Sequence, residues 1–252
     1  MTQALRRNSD FLQKKETLWD MREAERLEGL YALVKAEQKK EDGGIFRDEI
    51  AKSYWRKGFC SAAVKKLATF LLLSDWRESI LDKFHVVNEA GQLIQQLESI
   101  RLPHSPLLLH DADTVDSHEG KTALRQIETR QNQYVFRQMM LENYQSQCCL
   151  TGLPLPEALR ASHISPWAKD KKNRLNPENG LCLSATYDAA FDRKLISLDE
   201  DYRLILAPAL KKYYTNKAFQ AQFKSLAGKQ ITLPKRFLPS QSLLSQHRRQ
   251  MP

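Results

Sequence analysis

Between residues 10 and 40, apolar side chains at Phe11, Leu12, Leu18, Leu27, Leu30, Tyr31, Leu33 and Val34 recur among charged ones. Few β-branched residues and no proline interrupt them, so the pattern predicts one long or two short amphipathic helices, ended by Gly43–Gly44. A second helix is expected over Arg47–Ser74, with Ile50, Tyr54, Val64, Leu67 and Leu71 facing a core, and a third over Trp76–Ile100. Pro103–Gly120, with two prolines and a run of aspartates, reads as a linker or long loop. From Thr122 a further helix should reach about Asn143, presenting Ile127, Tyr134, Val135, Met139 and Leu141. The period then shortens. Leu159–Ile164 and Gly180–Leu183 are brief apolar runs, each preceded by turn chemistry (Pro154 and Pro156; Asn176-Pro-Glu-Asn-Gly180), and they predict two strands. Ser184 or Thr186 can cap a helix through Arg193. Leu195–Leu198 and Arg203–Leu206 then predict a hairpin. Lys211–Ala227 and Ser240–Arg249 read as helices around an extended Ile231–Pro239. The fold class expected is α+β: a helical domain over 1–110, a linker over 111–121, and a second domain over 122–252 that ends in a basic tail.

Composition narrows the setting. With 252 residues, 42% of them hydrophobic, the chain can bury a proper core. No apolar run approaches the ~20 residues needed to cross a bilayer, and MTQALRRNSDF lacks the apolar core of a secretory signal. A soluble, cytoplasmic protein is expected. Cys60, Cys148, Cys149 and Cys182 show no paired C-x-x-C spacing, so reduced, partly buried thiols are the simplest reading, ahead of a metal gathered by the last three.

Charge sharpens the picture more than composition does. The formal net charge is +9, yet residues 1–201 carry 29 basic against 30 acidic side chains. The excess lies beyond Asp201, where ten cations, among them Lys211 and Lys212, meet no acidic residue. Such a one-sign segment suits a polyanion, because cations that neutralise phosphates release counterions; a solvated face is the plainer alternative.

One group of residues carries candidate chemistry. His163 falls on the first predicted strand, Asn179 enters the second, and Asp188 and Asp192 stand four apart on the helix that follows. That spacing points both carboxylates from one face, where they can meet a single hard cation. The set suits metal-assisted phosphodiester cleavage. Lys169, Lys171, Lys172 and Arg174 lie in the loop between the strands, placed either to hold phosphates or simply to keep the loop solvated.

The blocks A-S-H-I-S-P-W (Ala161–Trp167), N-G-L-C-L (Asn179–Leu183) and D-A-A-F-D (Asp188–Asp192) resemble, in order and spacing, the HNH endonuclease family, whose catalytic unit is a ββα-metal motif. Flanking likenesses are Gln133–Arg137, Cys149–Gly152, Leu233-Pro and His247-Arg248, so the resemblance covers about 120–252. Residues 1–110 resemble nothing nameable. The resemblance implies a metal-dependent nuclease acting on DNA: His163 as the general base, Asn179 as a brace for loop and histidine, Asp188 and Asp192 as metal ligands. A divalent ion, Mg²⁺ or Mn²⁺, and products with 5′-phosphate and 3′-hydroxyl ends follow from it. Restriction or defence against foreign DNA is a role implied by family analogy alone. The N-terminal helices would then serve target recognition, regulation or contact within a homodimer.

Two positions depart from the family pattern. Ser162 stands where many members carry a His or Asp metal ligand, and Tyr187 where a histidine is frequent. These keep two alternatives open, a nucleic-acid-binding protein with a degenerate nuclease site and an RNA-directed toxin. Phe191 reads as core, and Trp167 as packing or a base-stacking surface. His110, Asp111, Asp113, Asp116, His118 and Glu119 read as an acidic linker rather than a second metal site.

Overall fold

A computed structural model describes residues 1–12, 15–47, 56–109 and 117–252. Its helices are α1 (Thr2–Asn8), α2 (Ala24–Glu37), α3 (Phe59–Val86), α4 (Ala90–Leu97) and α5 (His118–Asn143). There follow β1 (Leu159–His163), β2 (Gly180–Ser184), α6 (Ala185–Asp192), β3 (Ile196–Leu198) and β4 (Leu204–Leu206). The chain closes with α7 (Lys217–Phe219), continued by a π-helical turn over Gln220–Lys224, and α8 (Gln241–Arg248). The class is α+β. Among the described residues no helix is long and apolar enough to cross a membrane.

Two compact units emerge, and neither is a continuous stretch: Met1–Ser79 with Arg101–Gln131, and Ile80–Ile100 with Asn132–Pro252. In the first, Leu27, Leu30 and Val34 repeat at helical spacing on α2 and are buried with Leu5, Met21, Phe46, Val64 and Leu71. Arg26 holds the Glu16 carboxylate with both guanidinium nitrogens, and Ser105 donates to Glu28 at 2.7 Å.

In the second unit, α5 lays Val135, Phe136, Met139 and Met140 into a core shared with the antiparallel pair β1–β2. Their register sets His163 opposite Gly180 and Ser162 opposite Leu181. α6 packs back on both strands, and α8 on β3. The end of α3 is finished by Arg236, whose guanidinium stacks 4.8 Å from the Phe84 and Phe237 ring centres and donates to the carbonyls of Phe84 and His85.

Several expected elements are corrected. No helix break falls at Ser74–Trp76, where α3 runs on; the break lies at Val87–Glu89. Helix starts at Thr2, the described residues of 10–22 form no helix beyond the 3-10 turn Leu18–Asp20, and α5 starts at His118 rather than Thr122. Lys211–Ala227 is not one helix but a 3-10 run (Pro208–Tyr213), α7 and the π turn, because Asn216 caps a fresh start by accepting from Phe219 N at 3.0 Å. Ser184 precedes α6 without a side-chain cap bond. The strand pair, the β3–β4 hairpin and the last helix lie where the pattern predicts them. Ile50, Tyr54, His110, Asp111, Asp113 and Asp116 lie outside the described residues.

Cys148, Cys149 and Cys182 are buried and free. Burial and the neighbouring Cys148 push the Cys182 thiol up to about 12, and burial raises Cys149 well above its ordinary value. Cys148 Sγ accepts from Ser184 N at 3.3 Å, and Cys149 N donates to Cys182 O at 2.8 Å, so these residues knit the edge of β2.

His247, 1% exposed, fastens α8 to the hairpin and to α6. Its Nε2–H donates to the Phe191 carbonyl at 3.1 Å, its Nδ1 lies 2.9 Å from Ser197 Oγ, and its ring stacks on Phe191 at 3.9 Å. Burial, with help from the Lys194 charge, pulls this imidazole down to about 4. The folded protein keeps it neutral while the unfolded chain takes up a proton near 6.5, so stability falls as pH drops from 6.5 towards 4. The expected loss is about 3 kcal/mol across that window. Urea denaturation at stepped pH should show it, with a flatter slope in His247→Gln; equal slopes would remove His247 as its source.

Candidate active site

A buried amide organises the loop between the strands. Asn179, fully buried, accepts from Ser165 N at 2.7 Å through Oδ1, while its Nδ2 donates to the carbonyls of Ser165 (3.2 Å) and Asn173 (3.0 Å). Pro177, at the head of a short 3-10 turn, and Asn176, which accepts from Glu178 N at 3.0 Å, fix the approach to that position. Asp170 closes the loop by accepting from Asn173 N and Nδ2 at 3.2 and 2.7 Å.

The next carbonyl after Asn173 is the one that meets the histidine. His163 Nε2 lies 3.0 Å from Arg174 O. A carbonyl can only accept, so Nε2 carries the proton and Nδ1 of the neutral ring is left as an acceptor. The ring stacks on Phe136 at 3.8 Å and meets the edge of Trp167 at 5.3 Å. Burial lowers its pKa below the ordinary histidine value, the Arg174 charge adds to that, and the carbonyl bond partly offsets both. His163 is therefore neutral at pH 7 and ready to accept a proton.

Gly180 makes this stacking possible. It follows the 3-10 turn in an extended conformation, with φ −137°, so no left-handed backbone calls for glycine here. A Cβ there would stand 2.3 Å from Met140 Sδ and 2.7 Å from the Phe136 ring, so glycine is demanded by the close approach of α5. Arg137, one residue beyond the stacking ring, donates to Leu159 O (2.8 Å) and Pro156 O (2.6 Å) and anchors the start of β1.

The carboxylates reach the strand through Ser162. Its hydroxyl, 2% exposed as a residue, donates to Asp188 Oδ1, so the residue beside His163 holds the first carboxylate directly. Asp192 follows one helical turn later. Burial raises its pKa, the negative charge of Asp188 raises it further, and Lys194 and Arg193 work against both. Tyr187 points elsewhere: it is buried, its hydroxyl donates to Gln222 O at 2.6 Å, and its ring meets Phe223.

Residues 148–199 match the family model described as HNH endonuclease. This stretch, about a fifth of the chain, is similar to HNH endonucleases. No curated protein matches the chain at a significant level. The HNH match spans both strands, the connecting loop, α6 and β3, whereas Phe136, Arg137, Met140, Gln222 and Phe223 lie outside it.

Of the residues expected at the HNH site, Asn179 orders the loop whose Arg174 carbonyl meets His163, Asp188 is held by Ser162 next to that histidine, and Asp192 lies one turn further along α6. Lys169, Lys171 and Lys172 are exposed on the loop, and Lys211 and Lys212 are exposed on the segment before α7. Arg174 differs, since its Nε donates to Trp167 O at 3.1 Å and its guanidinium stacks over the Trp167 ring at 5.0 Å. It braces the loop. Phe136 and the Arg174 carbonyl escaped the sequence reading; only the placement of Phe136 in the Gln133–Arg137 block hinted at the first. Replacing Gly180 by alanine should force Phe136 and Met140 apart at a cost of ~1–3 kcal/mol, lowering Tm by roughly 2–10 °C in a thermal melt. An unchanged melt would mean that α5 yields freely at this point.

Proposed function

We propose that this protein is a metal-dependent endonuclease that hydrolyses DNA phosphodiester bonds, with His163 as general base. The observation that carries the proposal is the Ser162–Asp188 hydrogen bond, which joins the carboxylate helix to the strand bearing a neutral histidine with a free Nδ1. Two carboxylates four residues apart, the second raised by burial and by the charge of the first, suit a hard divalent cation such as Mg²⁺ or Mn²⁺. When bound there, such an ion supplies electrostatic stabilisation of the negative charge that grows on the phosphate and the departing 3′ oxygen.

The remaining steps belong to the side chains. Nδ1 of His163 takes a proton as water attacks phosphorus, and the Arg174 carbonyl steadies the imidazolium through the Nε2–H that it already holds. The P–O3′ bond breaks with its electron pair going to the 3′ oxygen, which takes a proton from solvent water, leaving 5′-phosphate and 3′-hydroxyl ends. Asn179 contributes by position, holding the loop whose carbonyl fixes the ring. The exposed lysines of the loop and the acid-free tail are available to the phosphate backbone, which favours a polynucleotide substrate. A part in restriction or defence fits such an activity.

A second reading is a nucleic-acid-binding protein with a decayed site. Among the described residues no three His, Cys, Asp or Glu side chains gather to hold an ion. Supercoiled plasmid incubated with Mg²⁺ or Mn²⁺ separates the two. Nicking is expected, with His163→Ala reduced roughly 10²–10⁴-fold and matched RNA cut more slowly. No cleavage, or cleavage that survives the substitution, sinks the catalytic assignment. Because burial keeps His163 below its ordinary pKa and the base must be deprotonated, the acid limb of kcat/KM should be centred below pH 6.5. An acid limb centred above 6.5 would exclude His163 as the titrating base.

A further inference from the structure

On the flank of α6 away from the carboxylates, the acid-free C-terminal segment builds an aromatic cavity of about 340 Å³. Its floor is aliphatic, with Ala190, Leu195 and Leu210, and its walls are Tyr213, Phe219 and Phe223. The rings form a ladder: Phe223 stacks with Phe219 at 5.4 Å and 18°, and Phe219 reaches Tyr214 at 5.9 Å and Tyr213 at 6.1 Å. Core aromatics would be covered. Here Tyr213 is 46% exposed, and Phe219 and Phe223 are only half-buried.

The surroundings are cationic. Lys212 lies 5.1 Å over the Tyr213 ring and Lys224 5.2 Å over Tyr214, while Lys211 and Lys217 are exposed on the same short stretch. The π-helical turn, closed by Ser225 N donating to Gln220 O at 2.9 Å, sets Phe219 and Phe223 on one face, and Tyr187 ties that turn to α6. Asn216 sits at the rim with its Oδ1 engaged by Phe219 N, leaving its amide N–H groups without a partner among the described residues.

We infer that this cavity is a subsite for one unstacked nucleobase of the DNA strand. The inference rests on the nuclease reading for the identity of the strand. An aromatic wall offers a π-face that any base can stack on, the lysines meet the phosphates on either side of it, and the Asn216 amide can donate to an acceptor on the base edge. The volume is at the lower end for ligand pockets, which suits a single ring system. Ala190 lies two residues from both Asp188 and Asp192 and about 200° round the helix from each, so the occupant would sit across α6 from the carboxylates, on a nucleotide away from the scissile step. On this inference the position before Asp188, a histidine in many family members, holds tyrosine here to position the base subsite.

Short single-stranded oligonucleotides bearing 2-aminopurine at successive positions test the inference on the full chain in EDTA, where cleavage cannot intervene. One position should show a change in fluorescence on binding. Tyr213→Ala and Phe219→Leu should abolish that change and weaken binding roughly 5- to 100-fold, with thermal melts confirming that both variants remain folded. Binding and cleavage with no fluorescence change, or unchanged affinity in both variants, overturn the subsite and leave the nuclease standing. A fluorescence change with no cleavage in Mg²⁺ or Mn²⁺ upholds the subsite and removes the nuclease reading.

Discussion

A carboxamide sealed from water must find partners for its donors and its acceptor, and the Asn179 side chain finds them in the backbone at Ser165 and Asn173. Those bonds draw the two ends of the inter-strand loop together, and everything at the candidate site hangs from that closure. The Arg174 carbonyl is aimed because Asn173 is held. The imidazole of His163 is oriented because the Arg174 carbonyl is aimed. Its free nitrogen is Nδ1 rather than Nε2 for the same reason. The histidine thus receives its tautomer through a loop held by a side chain sixteen positions away.

Packing supplies what hydrogen bonding cannot. The imidazole needs a dry face to remain neutral, and α5 provides Phe136 for it. That ring can approach only because Gly180 has no side chain, while Arg137 keeps the first strand in register by holding two carbonyls at its entry. On the other side of the strand, Ser162 reaches the carboxylate helix. Two neighbouring residues therefore serve opposite faces, as the pleat requires. A serine is short enough to be buried there and still deliver a hydroxyl to Asp188. The departure from the family pattern has kept a contact with the carboxylate pair.

The site was more legible in the sequence than the remainder of the fold. Its strands are brief apolar runs bounded by prolines and an Asn-Pro-Glu-Asn-Gly turn, signals that act over a few residues and survive without knowledge of the neighbours. Asp188 and Asp192 were readable because helical periodicity alone sets them on one face. What was missed depends on partners distant in sequence. Nothing local says that Phe136 lies under His163, or that a main-chain oxygen at Arg174 completes the ring's environment. The continuous α3 was misread because Ser74 and Trp76 look like a boundary, whereas Leu73, Trp76 and Ile80 are all buried along it. The segment after Lys211 was taken for one helix because its composition is helical; a cap at Asn216 restarts it instead.

The histidine at position 247 has a bearing on when the site can exist. It accounts for a ring stacked on Phe191 and a proton donated to the Phe191 carbonyl, both on the helix that carries Asp188 and Asp192. A chain leaves the ribosome N-terminal end first. The strands, the loop and the carboxylate helix therefore emerge well before the residue that fastens that helix down. Until residue 247 has been made, the helix that carries the candidate carboxylates lacks this fastening. For a protein whose proposed chemistry is the cutting of DNA, that order holds the activity back until some fifty residues beyond the carboxylate helix have been made.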